Sequence, residues 1–405
     1  MTKKSTPAAP GTISATVDAR QFAARLKLIA KHAELWASAP ILACVTIEFD
    51  PGAPLMRLSH YGVDMNITAT LTAEGTGAVA VPLKTLLSFV AGADGETLAI
   101  EKSQDSHAVT FTCGRFSAAL FPLAVEDTPR LDMPAPSRSF AMGEGVLHHL
   151  LSLTLSFVST EETRYYLNGV CFELDTDKVR AIATDGHRLA TRETATPAPL
   201  EAWEYRPIVP RLAAAALFTI IGRAQCFAHF AAEHREATNN PLAGYAQKPA
   251  GWYQQYAQFT CEGWTVTTKL IDGTFPDWRR VVPKNEGRPE AVIAGADIER
   301  FRRIVGGIGK GWTRMKAVRF SPAETGGIAL KADRPGDGAF TGEAAAELTA
   351  PFDPFGCDIG YLAAMPKAFG SKKLRLAIGG ASDPIIIAAP ESPASEFAIL
   401  MPMRV

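Results

Sequence analysis

Three pairs of helical stretches, almost equally spaced, restrict the fold of this chain more than any other feature of its sequence. Residues 17–33, 142–159 and 296–309 read as amphipathic helices, with apolar positions recurring every three or four residues. Residues 81–92, 208–222 and 358–370 each open with a strand-like or proline-containing lead and continue as a second helix. The second member of each pair begins 64, 66 and 62 residues after the first. Such a period marks a chain built from copies of one unit. Between the paired helices, residues 41–49, 55–59, 166–174, 179–184, 318–320 and 327–332 have the alternating or β-branched content of short strands. More β-type runs follow each second helix, at residues 97–102, 108–123, 258–270, 373–378 and 384–389. The expected class is α+β, in three tandem domains of one design: a short tail at residues 1–15, then domains at 16–134, 135–288 and 289–405. With 405 residues, 47% of them hydrophobic, the chain has apolar material for several cores.

A Phe-Thr-Cys run begins at Phe111 and again at Phe259, 30 and 51 residues after the second helices of their units begin. The second domain therefore carries 21 extra residues. They are expected within residues 233–258, whose Asn, Gly, Pro, Gln and aromatic content reads as an exposed, mobile loop.

The formal net charge is −1, from 41 basic and 42 acidic residues, so a strongly basic nucleic-acid binder is not visible in the total. The distribution is less even. Taken as residues 17–33, 81–92, 142–159, 208–223, 296–316 and 358–373, the six helical stretches together carry +11, leaving −12 for the rest. In the first helix Phe22, Leu26, Ile29 and Ala33 form an apolar stripe, with Arg20, Lys27 and Lys31 opposite. In the third unit Phe301, Ile304, Val305 and Ile308 are apolar, with Arg303 and Lys310 opposite. In the second, Val146, Leu150, Leu153 and Phe157 face away from His148, Ser152 and Ser156. For any single helix, Lys and Arg on one face mean only a solvated surface. Six helices summing to +11 point to a basic surface against an acidic remainder, an arrangement suited to a phosphate backbone read without sequence.

Catalytic motifs are not evident. Gly306-Gly307-Ile308-Gly309-Lys310-Gly311 lacks the Ser or Thr that a phosphate loop needs after its Lys. His229 and His234, with Glu233 between them, are not at the spacing of a helical zinc site. Asp185-Gly186-His187 reads first as a turn between two strands. Six scattered cysteines, with no Cys-x-x-Cys, suggest buried free thiols in a reducing cytoplasm. No run approaches 18 apolar residues, and residues 1–10 have no apolar segment of a secretory signal.

Four motifs carry a family resemblance. They are Arg164-Tyr165-Tyr166-Leu167-Asn168-Gly169-Val170, Ala183-Thr184-Asp185-Gly186-His187-Arg188-Leu189-Ala190, residues 269–281 (with Gly273-Thr274-Phe275-Pro276-Asp277) and the terminal Met401-Pro402-Met403-Arg404-Val405. In order and spacing they resemble the bacterial β sliding clamp, the processivity subunit of the replicative DNA polymerase III. The resemblance implies two chains of three domains closing a head-to-tail ring around double-stranded DNA, with helices lining the hole. It implies no catalysis and no cofactor, a separate ATP-driven clamp loader, and DNA polymerase subunits and repair proteins as partners. These would bind through short peptides in a pocket formed by Leu167, Thr184, Gly186, His187, Arg188, Leu189, Pro276, Arg280, Val281, Ile399, Met401, Pro402, Met403 and Arg404. DNA contacts are expected from Arg20, Lys27, Lys31, Tyr166, Arg303 and Lys310. The dimer contact is expected from Phe116 and Ile308. Trp36 stands where the family often has a DNA-contacting Arg, and Glu161-Glu162 where it often has a Gln. These departures, the insertion and the Lys3-Lys4 tail suggest a divergent or accessory clamp. Two other readings remain open: a DNA-modifying enzyme with a convergent acidic or metal site, and a ring-shaped scaffold that no longer holds DNA.

Overall fold

The structure, a computed structural model, describes residues 12–33, 39–196, 199–200, 205–235, 251–306, 317–334 and 338–404, without the side chains of 233–235, 251–254 and 334. One pattern runs through the described residues six times, a strand, a helix, then three more strands, with a short extra strand, Ala346–Leu348, in the fifth. The helices are α1 (Ala19–His32), α2 (Leu83–Gly92), α3 (Val146–Thr154), α4 (Arg211–Ile220), α5 (Gly295–Gly306) and α6 (Ile359–Phe369). They begin 64, 63, 65, 84 and 64 residues apart. The helix pairs of the sequence are thus two copies of a smaller unit, and the long interval contains the insertion.

Local chemistry sets the element ends. Asp18 caps α1, its Oδ1 accepting from Gln21 N at 2.7 Å. Asp358 caps α6 in the same way through Gly360 N at 2.7 Å. Gly370, with φ of 70°, stops α6 in the left-handed region.

Several expectations are corrected. Met142 ends the strand Arg138–Met142 and α3 starts only at Val146, because Gly145 turns the chain at a φ of 76°. The end of that expected helix tightens into a 3₁₀ turn, Leu155–Phe157. Residues 41–43 form a 3₁₀ turn begun by Pro40, and the strand starts at Cys44. Tyr166 and Leu167 likewise end the 3₁₀ segment Glu162–Leu167 rather than opening a strand. Ile304 is 52% exposed; Ile298, Phe301 and Val305 form the buried stripe instead, and Ile304 lies one turn from Arg300 at its solvent edge. Part of the region expected as a loop, residues 233–235 and 251–258, is strand. Strands Cys226–Arg235 and Gly251–Cys261 pair as a long hairpin out to Arg235 opposite Gly251, because the in-facing Cys226, Ala228 and Phe230 bury a continuous face. Residues 236–250 lie outside the described residues.

The chain forms two compact units, Met1–Leu147 with Leu212–Leu270, and His148–Arg211 with Ile271–Val405. The first holds an eight-stranded antiparallel sheet in which Trp264–Lys269 pairs with Met65–Thr72. It also holds a four-stranded sheet ordered Ile13–Asp18, Thr97–Lys102, Val109–Cys113, Phe116–Leu120. The second unit holds a nine-stranded sheet in which Arg188–Ala195 pairs with the terminal strand Phe397–Leu400. Its four-stranded sheet is ordered Gly338–Ala344, Ile328–Arg334, Ala317–Pro322, Phe355–Asp358. Each large sheet therefore joins strands that lie far apart in sequence, so strand pairing as well as core packing binds the repeats. All six cysteines are free and five are buried.

Candidate functional site

In the second unit the strands Lys178–Thr184 and Arg188–Ala195 are joined by the tight turn Asp185-Gly186-His187. Gly186 has a φ of 88°, which favours glycine. Asp185 Oδ1 accepts from His187 N at 2.9 Å and Arg188 N at 3.0 Å, and Thr184 Oγ1 donates to Arg188 O at 2.8 Å. The Arg188 side chain is held on every side. Its Nε is 2.9 Å from Asp185 Oδ2 and its Nη2 donates to Ser156 O at 2.6 Å. Its guanidinium lies 4.7 Å from the Phe157 ring centroid and 4.3 Å from that of Tyr361. Tyr361, in the first turn of α6, also stacks on His187, with centroids 6.5 Å apart. Tyr361 is missed by sequence reasoning: nothing near it in the chain signals a site, and only folding brings α6 to this hairpin.

The terminal segment docks beside the same turn. Ile399 pairs with Leu189 in the ladder. Met401 N donates to His187 O at 2.9 Å and Met403 N to Gly356 O at 2.7 Å. The side chains of Met401 and Met403 remain 40% and 38% exposed. Leu167, Leu189 and Ile399 belong to a buried cluster with Cys171, Ile182, Ile208, Phe275 and Trp278, so these three predicted pocket residues form the floor. Trp278 opens the 3₁₀ turn Trp278–Val281, which carries the exposed Arg280 and Val281. Pro276 is exposed and Pro402 half-buried. Three of the motif segments thus meet at one apolar cluster, through Leu167, Leu189, Phe275 and Trp278, and Val281, Met401 and Met403 are exposed. Arg280, 84% exposed with Nε 3.7 Å from Asp277 Oδ2, and the exposed Arg404 supply the least constrained positive charge. A separate cavity of about 410 Å³, lined by Glu286, Arg288, Phe352, Asp353 and Asp383 among others, contains none of these residues.

Glu173 anchors the Trp278 turn. It accepts from Trp278 Nε1 at 3.1 Å and from Arg279 Nη1 and Nη2 at 3.0 and 2.7 Å. Arg180 Nη1 is 3.1 Å away and Arg206 Nε 3.4 Å. Burial would push this carboxyl up, but the bonds from Arg279 and Trp278 outweigh it and hold it at about 2.

The residues expected at DNA are divided. Arg20, Lys27 and Lys31 are exposed on α1, opposite the buried Phe22, Leu26 and Ile29. Arg303 on α5 is exposed but lies 3.3 Å from Glu299 Oε1, and Arg302 and Arg300 pair with Glu299 and Asp297. The charge of that helix is therefore largely compensated within it. Tyr166 packs against the buried cluster; its neighbour Tyr165 presents the exposed ring. Glu161 is bound by Arg164, Nε at 2.9 Å and Nη2 at 2.6 Å. Phe116 is 51% exposed on a strand that pairs on one side only among the described residues. Ile308, Lys310 and Trp36 lie outside the described residues. His229 sits in a strand, its Nδ1 2.8 Å from Ser139 Oγ. Among the described residues no cluster of three or more His, Cys, Asp or Glu could hold a metal, and no helix is long and apolar enough to cross a membrane.

Comparison with known proteins agrees with this geometry. A family model for the DNA polymerase III beta subunit, central domain, matches residues 143–277. The chain is 29% identical over 265 residues to a beta sliding clamp of Salmonella typhimurium, covering 64% of each chain. It is 28% identical over 340 residues to the beta sliding clamp of Caulobacter vibrioides, covering 81% of this chain and 83% of the other. The chain thus spans just under two thirds of the first curated relatives it matches. A solved sliding clamp (DNA polymerase III subunit beta) from Bartonella birtlesii, bound to griselimycin, superposes with a TM-score of 0.82 at 26% identity, over 97% of this chain and all of that one. With three of the four motifs sharing one cluster, and the central-domain match spanning two of them and most of a third, the chain is similar to the bacterial β sliding clamps.

Proposed function

We propose that two copies of this chain close a ring around duplex DNA and tether replication and repair proteins to it, conferring processivity without catalysing a reaction. Three domains per chain, at residues 16–134, 135–288 and 289–405, would give the ring six parts. The observation that carries the reading is one buried apolar cluster shared by Leu167, Leu189, Phe275, Trp278 and Ile399, with Met401 N bonded to His187 O beside it. An apolar surface with a few polar groups at its rim suits a short peptide with apolar anchors. Exposed Arg20, Lys27 and Lys31 on α1 support a sequence-independent contact with phosphates. The one-sided strand bearing Phe116 supports a head-to-tail contact between copies. A cytoplasmic location and a separate ATP-driven loader complete the proposal. The test is retention on nicked circular DNA against the same DNA linearised, with loader supplied. A ring stays on the circle and slides off the ends. Equal retention on both, or binding that depends on base sequence, refutes it.

A further inference from the structure

Arg192 and Glu396, both buried, lie outside the motif segments. Glu396 immediately precedes the terminal strand Phe397–Leu400, whose continuation supplies residues 401–404 of the site. Arg192 Nε is 3.2 Å from Glu396 Oε2, an ion pair off the ideal hydrogen-bond line, and His149 Nε2 is 2.5 Å from Oε1. Arg192 Nη1 also donates to His149 O at 2.9 Å and to Ser152 Oγ, and its Nη2 reaches Phe369 O at 3.4 Å. One guanidinium therefore ties α3, the end of α6 and its own strand to the start of the terminal strand. That strand is short. Its ladder has four residue pairs with Arg188–Thr191 on one side and three with Ile385–Ile387 on the other. A buried ion pair is a weak source of stability, and its best-attested use is to fix register.

We propose that Arg192, Glu396 and His149 act as positioning residues, a latch that holds residues 401–404 in the place the peptide site requires. The proposal rests on the peptide-site reading above. None of the three is assigned a contact with ligand. Apparent affinity falls by the fraction of time a site is incomplete, so an undocked end weakens binding without any lost contact.

The test compares the full chain with His149→Ala, Arg192→Met, Glu396→Gln and the Arg192→Met/Glu396→Gln double variant. Ile293→Ala, at a buried position in the strand Glu290–Ala294, is the control for general destabilisation. Griselimycin, the ligand of the Bartonella clamp, is the calorimetric probe. Amide exchange at Met401 and Met403 is read on the same proteins without it. Each latch variant is expected to weaken griselimycin by about tenfold, the docked fraction falling to about a tenth, and to speed exchange at both amides. The double variant should be no worse than the poorer single one, since both remove the same link. Ile293→Ala should lower the thermal midpoint as much and change neither readout. Unchanged exchange at Met401 and Met403 in the latch variants overturns the latch, as does an equal loss of affinity in Ile293→Ala. His149→Ala, at a half-exposed position, decides the matter if the buried variants do not fold. Met403→Glu tests the underlying reading: if it binds griselimycin as wild type does, the peptide site is elsewhere, and the exchange data still decide whether the latch holds the chain end.

Discussion

The Glu173 carboxylate is surrounded by Trp278, Arg279, Arg180 and Arg206. Its pKa is about 2, against an ordinary 4.5. A carboxyl whose pKa falls on folding stabilises the fold above its unfolded value, and that contribution fades as pH drops from about 4.5 to about 2. At neutral pH it amounts to roughly 3 kcal/mol. Glu173→Gln is expected to lose most of this in urea denaturation at pH 7, with the gap to wild type roughly halved at pH 3. A gap of the same size at both pH values would mean that the charge is not its source. At the proposed peptide site, Met403→Glu would place a charge where a docked peptide should cover it, which costs several kcal/mol in principle. Deleting residues 401–405 should weaken binding at least as much. Fluorescence anisotropy with a labelled peptide bearing two apolar anchors reads both, and full affinity in the truncated chain would exclude the terminal segment from the site.

Among the elements, α1 and α5 have similar sequences and unlike surfaces. Both alternate apolar and basic positions, but α5 carries Glu299 and Asp297 one turn from its arginines, whereas the residues of α1 on the exposed basic side include no acid. Lys27→Glu with Lys31→Glu is therefore expected to weaken DNA association equally across sequences and to flatten its salt slope by about four charges' worth. The same reversal at Arg303 should do much less. Titration of binding against salt distinguishes them; equal effects from the two helices would remove the special role of α1. The helices were legible in the sequence because each buries one stripe, as Phe22, Leu26 and Ile29 show. The extent of the strand Arg188–Ala195, expected only as a β run after a turn, was not, because four successive residues, Leu189 to Arg192, are buried. Buried on both faces, it has lost the alternation that marks a strand. The hairpin of the insertion was hidden by composition that suggested loop, and Tyr361 by distance in sequence. Leu167 and Leu189 were singled out through their motifs and Ile399 through the resemblance alone, but their shared burial depends on Phe275 and Trp278, which arrive from another segment.

For the whole molecule, a dimer is expected by light scattering at micromolar concentration, and Phe116→Asp, which puts a charge on the exposed end of the strand Phe116–Leu120, should shift it toward monomer without lowering the thermal midpoint of the chain. A wild-type monomer at that concentration would count against ring closure. The chain between the first two repeats, residues 124–136, contains only one short 3₁₀ turn, Val125–Asp127. Beyond it, five residue pairs join Met65–Ala69 to Trp264–Thr268 within one sheet. A protease that cut the chain between residues 128 and 136 would leave this seam in place, and the core beneath it. The nicked protein should still run as one particle in native gels and part into two bands only in denaturant. The covalent thread between those repeats is thus redundant to their union: in the proposed ring, damage there would lengthen the list of chain ends without opening a gap through which a threaded strand could escape.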